Sequence, residues 1–233
     1  SEFTFKSFTL HKNNHSHKFG TDSMLLGAMC TLEQGKHALD AGSGSGVLGL
    51  MVAQKFPSLT VDCIELDPLA FNECKFNLQA SPFNHRMEAI CEDLIEFIPD
   101  YSYDLIITNP PYYLSNNPSS EKNKREKHSD LPWLLAWLNA CKHLLSATGC
   151  IWLILPEATY EALKPHLESM PLYEDKVISI FNQHQKRIRI VLSLHKTAGK
   201  RTDSSFILRK INGDYTEEYL ALTQAFHLSP PKR

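Results

Sequence analysis

The chain has 233 residues, of which 42% are hydrophobic and 21% charged, the balance of an ordinary globular protein of one large domain or two small ones. A formal net charge of −2 excludes a uniformly basic, histone-like nucleic-acid binder but says nothing of local patches. The longest apolar run, at 131–145, is interrupted by polar residues and is too short for a membrane span, so we predict no membrane association. The six cysteines form no Cys-X-X-Cys pair and lie mostly in apolar stretches, which predicts reduced core thiols and a cytoplasmic location.

Short apolar runs alternate along the chain with segments of helical period, the pattern of a mostly parallel sheet with helices on both faces. The sequence therefore predicts an α/β fold with a seven-stranded sheet whose last two strands form an antiparallel hairpin. The predicted strands are 37–41, 59–65, 87–91, 103–108, 150–155, 177–181 and 188–195. The predicted helices are 46–56, 68–80, 133–145 and 159–167.

The two ends of the chain fall outside this alternation and are too short for separate domains. We predict a single domain over 1–233, with an N-terminal segment (1–30), a core (31–200) and a C-terminal elaboration (201–233). Thr21 and Asp22 can cap a short helix that runs to Cys30, and the tail is predicted to contain a strand at 206–208 and a helix at 216–226. The stretch 115–130, rich in Ser, Asn, Lys and Glu, is predicted as a mobile loop.

A glycine-rich stretch, Asp40-Ala-Gly42-Ser-Gly44-Ser-Gly46, follows the first predicted strand and opens a helix. In that setting a nucleotide-like ligand can approach backbone N–H groups at the positive end of the helix. Residues 44–49 also form a Gly-X-Gly-X-X-Gly pattern, so NAD and S-adenosylmethionine both remain candidates. Glu65 closes the second strand, where a carboxylate can accept both hydroxyls of an adenosine ribose, and Asp93 follows the third.

The tetrapeptide Asn109-Pro110-Pro111-Tyr112, which ends the fourth strand, indicates the chemistry. Prolines cannot donate hydrogen bonds and bias Asn109 towards an extended conformation, so the loop is stiff and rich in acceptors. The Asn109 side-chain oxygen and the Pro110 carbonyl can accept the two hydrogens of an exocyclic amine and direct its lone pair at a methyl donor. Tyr112 can stack on a flipped base, a contact of about 1–3 kcal/mol. A rigid turn is the alternative for the tetrapeptide alone, but its place behind the glycine stretch favours amine methylation over both that turn and NAD binding.

Together the two motifs resemble the amino-methylating class I S-adenosylmethionine-dependent methyltransferases, which implies a Rossmann-like fold. Phe5-Lys-Ser-Phe8 and the stretches 18–28 and 215–228 resemble more narrowly the bacterial tRNA1(Val) (adenine(37)-N6)-methyltransferase family. The resemblance implies S-adenosylmethionine as cofactor and N6 of a tRNA adenosine, adenosine 37 of valine tRNA, as the methylated atom. It assigns the glycines to the cofactor's methionine part, Glu65 to the ribose, Asp93 with Leu94 to the adenine, and the N-terminal segment to a cover over the site.

The cofactor-binding residues predicted in this way are Lys18, Thr21, Asp22, Asp40, Gly42, Gly44, Gly46, Glu65, Asp93, Leu94 and Asn109. The predicted catalytic residues are Asn109, Pro110, Pro111 and Tyr112.

Charged residues are unevenly distributed along the chain. The stretch 176–201 holds seven Lys and Arg residues and no Asp or Glu, whereas 88–104 is acidic. Such a run is either a solvated hairpin face or a surface that follows phosphates, and we favour the second. The predicted RNA contacts are Lys124, Arg125, Lys186, Arg187 and Arg189. His11, His15 and His17 have no complementary ligands at metal-binding spacing, so no metal site is predicted.

Other functions remain open on the sequence alone. A protein-glutamine methyltransferase would use the same Asn-Pro-Pro-Tyr loop on a side-chain amide, and guanine-N2 or DNA-adenine methylation are further options. A non-catalytic RNA-binding adaptor with a vestigial cofactor pocket is the alternative outside enzymes. The basic hairpin favours tRNA as the partner, and no obligate protein partner is predicted.

Overall fold

The computed structural model of the protein describes residues 2–12, 20–110 and 130–228. Several predictions fall outside these residues, namely those made for 115–129, His15, His17, Lys18, Pro111, Tyr112, Lys124 and Arg125. The strands are β1 (Glu2–Thr4), β2 (Thr9–His11), β3 (His37–Ala41), β4 (Thr60–Ile64), β5 (Met87–Ile90), β6 (Tyr103–Thr108), β7 (Leu145–Pro156), β8 (Tyr173–Phe181), β9 (Arg187–His195) and β10 (Thr202–Ile207). The α-helices are α1 (Thr21–Met29), α2 (Val47–Lys55), α3 (Pro68–Ala80), α4 (Asp130–Leu144), α5 (Glu157–Leu167) and α6 (Glu217–Thr223), and a 3₁₀ turn spans Asn84–Arg86.

The central sheet has eight strands in the order β10-β8-β9-β7-β6-β3-β4-β5. All neighbouring pairs are parallel except those of β9, which runs antiparallel to both β7 and β8. The predicted α/β class and antiparallel C-terminal hairpin are confirmed. The predicted number of strands is one too low, because β10 in the C-terminal elaboration adds to the sheet beside β8.

Helices cover both faces of the sheet. Helices α1, α2, α3 and α6 pack on one face and α4 and α5 on the other, and each set forms its own apolar cluster with the strands. Successive residues of one strand serve opposite faces: Ala38 belongs to the first cluster and Leu39 to the second. Strands buried on both faces have continuous apolar sequences, which explains why the inner strands were recognisable.

Helix starts agree with the sequence at α3 but not at α1. Asp67 caps α3 by accepting hydrogen bonds from the N–H groups of Leu69 and Ala70, both at 2.9 Å, and Pro68 takes the first helical position. Helix α1 begins after Gly20 without a side-chain cap, so the prediction that Thr21 and Asp22 cap it is wrong. Thr21 is instead the first helical residue, and its side chain is free to contact other elements.

Five of the six cysteine side chains are buried, as predicted for core thiols, whereas Cys91, which follows β5, is exposed. Among the described residues, no helix is long and apolar enough to cross a membrane.

Candidate active site

The site lies at the carboxyl ends of β3, β4 and β6, which are adjacent in the sheet. Strand β3 pairs with β4 on one side and β6 on the other, so chain connections leave β3 and β6 in opposite directions. Such a switch point opens a crevice at the sheet edge. The structure brings Asp40, Glu65 and Asn109 to this edge, with Asp93 following β5 beside them.

The glycine loop between β3 and α2 depends on left-handed backbone conformations. Gly42, Gly44 and Gly46 have φ angles of +73°, +53° and +81°. The N–H groups of Gly42 and Ser43 both donate to the Ile64 carbonyl at 3.0 Å, and that of Gly46 donates to the Ser43 carbonyl at 2.8 Å. Because these donors are already used, the glycines give a ligand close access to the backbone rather than a row of free N–H groups.

Glu65 connects the glycine loop to the start of α3. Its Oε2 atom accepts a hydrogen bond from the Gly44 N–H at 2.8 Å, and its Oε1 atom accepts one from the Asp67 N–H at 3.0 Å. Both carboxylate oxygens are therefore fixed in direction, and each retains a further lone pair. The side chain is oriented to receive donors from a ligand lying over the loop.

Asp40 is a fully buried carboxyl group beneath the loop. Its Oδ2 atom accepts a hydrogen bond from the Gly49 N–H at 2.8 Å, while Oδ1 has no partner among the described residues. Burial, opposed by the Gly49 hydrogen bond and reinforced by the charge of Glu65, raises the pKa of Asp40 to about 7. An unpaired buried oxygen is costly, and a donor from a bound ligand or water would relieve that cost.

Trp137 of α4 also belongs to the site, although the sequence marks it only as an apolar residue of a predicted helix. Its indole N–H donates to Thr108 Oγ1 at 3.2 Å, and that hydroxyl donates to the Ala41 carbonyl at 2.8 Å. The indole ring lies 3.2 Å from the position that a Cβ atom on Gly42 would occupy. Trp137 thus fixes the end of β6 against the end of β3 and fills the space beneath the glycine loop.

Asn109 is the residue directly after β6, and its side chain is partly exposed. Its Nδ2 atom donates to Ser23 Oγ of α1 at 3.4 Å, and the following Pro110 is buried. On the other side of the crevice, Asp93 accepts the Ile95 N–H at 2.9 Å, and Leu94 is buried in the second apolar cluster. Of the two residues predicted to bind the adenine, Asp93 therefore offers a polar side chain and Leu94 belongs to the apolar core.

The first turn of α1 contacts the C-terminal part of the chain. Asp22 forms an ion pair with Arg189 of β9, with Oδ2 and Nε 2.8 Å apart. Thr21 Oγ1 lies 3.4 Å from the hydroxyl of Tyr215. Two predicted cofactor residues are thus held by the hairpin and the C-terminal elaboration.

The basic hairpin is less free than its sequence indicates. Arg187 pairs with Glu157 and Glu161 of α5, with N–O distances of 2.9 and 2.5 Å. Lys186, in the turn before β9, is exposed and makes no ion pair within the described part of the chain. Of the predicted RNA contacts that the structure describes, only Lys186 keeps its charge unpaired.

Comparisons with known proteins agree with this geometry. Residues 14–163 match the family described as Methyltransferase small domain. A tRNA1(Val) (adenine(37)-N6)-methyltransferase of Histophilus somni is 34% identical over 232 residues, which cover 98% of this chain and 98% of that protein. The chain belongs to the tRNA1(Val) (adenine(37)-N6)-methyltransferase family.

Comparison with solved structures shows that the chain has the class I methyltransferase fold. A crystal structure from Agrobacterium tumefaciens, described as a predicted O-methyltransferase, aligns with a TM-score of 0.69 at 17% identity, covering 88% of this chain and 96% of that one. The glycopeptide N-methyltransferase MtfA complexed with S-adenosylmethionine aligns with a TM-score of 0.56 at 12% identity, covering 78% and 90%. Family membership decides against the dinucleotide interpretation of residues 44–49.

Proposed function

We propose that this protein transfers the methyl group of S-adenosylmethionine to N6 of an adenosine in tRNA, adenosine 37 of valine tRNA, in the cytoplasm. The observation that carries the proposal is the position of Asn109, at the end of β6 and one strand from the glycine loop. Relatives of the same length carry this activity in their names.

The residues around the loop fit an adenosine-containing, positively charged cofactor. When bound, S-adenosylmethionine supplies an electrophilic methyl group on a sulfonium centre. Gly42, Gly44 and Gly46 give its methionine part close access to the backbone, and the unpaired Oδ1 of Asp40 is an acceptor for a donor in that region. The remaining proposed contacts are Glu65 for the ribose hydroxyls, Asp93 and Leu94 for the adenine, and Lys18, Thr21 and Asp22 for the cover.

The chain's own residues activate the amine. An exocyclic amine on a planar base is a poor nucleophile because its lone pair is delocalised into the ring. Asn109 Oδ1 and the Pro110 carbonyl accept its two hydrogens, which favours a pyramidal nitrogen with the lone pair directed at the methyl group. Pro111 keeps the loop stiff, and Tyr112 stacks on the flipped base. No nucleophilic side chain is required.

For the RNA, we propose phosphate contacts by Lys124, Arg125 and Lys186. Arg187 and Arg189 lie on the same strand, but their guanidinium groups pair with Glu157, Glu161 and Asp22. Any RNA contact of these two arginines therefore competes with an ion pair inside the protein. Lys186→Ala should weaken tRNA binding and reduce the slope of log K against log salt by about 0.7–0.9.

The deciding experiment incubates the purified protein with labelled S-adenosylmethionine and valine tRNA that lacks the modification, followed by mass spectrometry of the nucleosides. N6-methyladenosine is the expected product. A methylated protein glutamine with no labelled tRNA would show that the alternative amide methyltransferase is correct. Asn109→Ala should lower kcat by about 100-fold or more and affect cofactor affinity much less, since its main loss is the stabilisation of the amine during transfer.

A further inference from the structure

Ser23 contacts the side-chain amide of Asn109, and nothing in the sequence motifs gives this serine a role. It lies in the first turn of α1 and is 7% exposed. Its Oγ atom accepts the hydrogen bond from Asn109 Nδ2 at 3.4 Å. The terminal torsion of an asparagine is broad, with amide oxygen and nitrogen able to exchange places, and in the arrangement that the structure shows, the Ser23 hydroxyl accepts from Nδ2 and leaves Oδ1 on the opposite side of the amide.

Ser23 itself is held in place from the opposite side of β7. Strand β7 lies between β6, which leads into Asn109, and β9, where Arg189 is opposite Pro156. The first turn of α1 bridges this strand, because Ser23 reaches Asn109 while its neighbour Asp22 pairs with Arg189 at 2.8 Å. Adjacent residues of one helical turn thereby tie the end of β6 to the start of β9.

The other end of α1 is also anchored. Lys55 Nζ donates to the carbonyls of Ala28 and Cys30 at 2.5 and 2.6 Å. Just beyond, the Thr31 carbonyl accepts the indole N–H of Trp152 at 3.0 Å, and the Thr31 hydroxyl accepts from Lys176 Nζ at 2.9 Å. A helix fixed at both ends can hold a neighbouring amide in one orientation, as a precise site needs.

We propose that Ser23 is a positioning residue for methyl transfer. It holds the Asn109 amide nitrogen, which leaves Oδ1 directed at the target amine, and the Asp22–Arg189 ion pair holds Ser23. The inference rests on the role of Asn109 in the proposed function. In this proposal Arg189 orients the active site and does not contact RNA.

The first test needs neither cofactor nor substrate. In ¹⁵N-labelled protein, the side-chain NH₂ pair of Asn109 is identified by its disappearance in Asn109→Asp. We expect Ser23→Ala to shift that pair, and Asp22→Asn and Arg189→Ala to shift it in the same direction. Ser193→Ala is the matched control, because Ser193 is a buried serine on β9 whose hydroxyl bonds to Asp175 and the Lys176 N–H instead. Glu161→Gln, which breaks an ion pair of Arg187, controls for Arg189→Ala. An Asn109 pair that moves no more in Ser23→Ala than in Ser193→Ala would overturn the proposal.

The second test separates positioning from binding. Ser23→Ala should lower kcat about tenfold, the effect of one lost hydrogen bond, while KM for tRNA and for the cofactor changes less than about twofold. Ser23→Thr keeps the hydroxyl and should recover most of the rate. Arg189→Ala should lower kcat and leave the salt dependence of tRNA binding unaltered; a flattened salt dependence with an unchanged kcat would make Arg189 an RNA contact and refute its positioning role. If the wild-type protein methylates no tRNA, the proposed function fails, and the amide resonances still decide the role of Ser23.

Discussion

Replacing Gly46 with alanine tests how the glycine loop is built into the fold. Gly46 is the last residue before α2 and has a φ of +81°, a conformation that costs a residue with a Cβ atom about 1–2 kcal/mol. An added Cβ would also lie 2.9 Å from Cys74 Sγ and 3.3 Å from Leu78 Cδ2, so these side chains of α3 would have to shift. Overpacking of this kind costs about 1–3 kcal/mol. We therefore expect Gly46→Ala to lower the free energy of unfolding by about 2–5 kcal/mol.

Two control glycines separate the contributions to this loss. Gly213 has a φ of +88° but nothing within 4 Å of its added Cβ, so Gly213→Ala measures backbone strain alone. Gly199 has neither the strain nor the contact, and Gly199→Ala should be close to neutral. Urea denaturation of the three variants at constant pH gives the comparison.

The outcome is informative in both directions. Gly46→Ala should lose more stability than Gly213→Ala, and shortening the obstructing side chain in Gly46→Ala/Cys74→Ala should recover part of the difference. If Gly46→Ala unfolds at the same urea concentration as wild type, the loop does not need its left-handed residue and the reasoning is refuted. An equal loss in the Gly46 and Gly213 variants would show that the Cys74 and Leu78 side chains shift at no cost in stability.

Three further changes test other contacts. Asp40→Asn should flatten the pH dependence of stability. Burial raises the pKa of Asp40 from 3.8 to about 7, so between those pH values the native state binds more protons than the unfolded state, and the free energy of unfolding of the wild type falls as pH rises. Urea titrations at several pH values should show this fall in the wild type and not in the variant. Tyr103→Phe should cost about 1.5–3 kcal/mol, because its hydroxyl donates to the Asp62 carboxylate at 2.7 Å, and a loss below about 0.5 kcal/mol in the same assay would contradict this. Trp137→Phe should lose about 1 kcal/mol of stability and weaken cofactor binding measured by calorimetry, since Thr108 loses its indole donor. Trp133→Phe keeps an aromatic ring stacked on Trp137 and should leave binding unchanged.

The inner part of the fold could be predicted because its signals are local. Strands buried on both faces are continuous apolar runs, and Asp67 followed by Pro68 marks the start of α3 within the sequence itself. The start of α4 was predicted three residues late, at 133 instead of Asp130. Pro132 suggests a break, but proline is tolerated in a first helical turn, where its missing N–H would have no partner.

Strand β10 shows what local signals leave out. The predicted strand at 206–208 overlaps only its last two residues, because the residues before Phe206 are exposed and lack the apolar alternation by which a strand is recognised. Its place in the sheet comes from parallel pairing with β8, which precedes it by more than twenty residues. An edge strand is stabilised by backbone hydrogen bonds to its neighbour more than by burial of its own side chains, whereas sequence patterns reflect only the side chains.

The charges of the basic hairpin also depend on contacts between residues that are distant in the sequence. Residues 176–201 hold no Asp or Glu, yet Arg189 meets Asp22 across 167 positions, Arg187 meets Glu157 across 30, and Arg201 pairs with Glu174 and Asp203. A count along the sequence therefore overstates the positive field at the hairpin, because these charges are neutralised in space by residues outside the counted stretch. We therefore expect Lys186 to attract a phosphate backbone more strongly than the paired arginines do. Removing Lys186 should reduce the salt dependence of tRNA binding more than removing Arg187, although arginine is in general the stronger phosphate ligand.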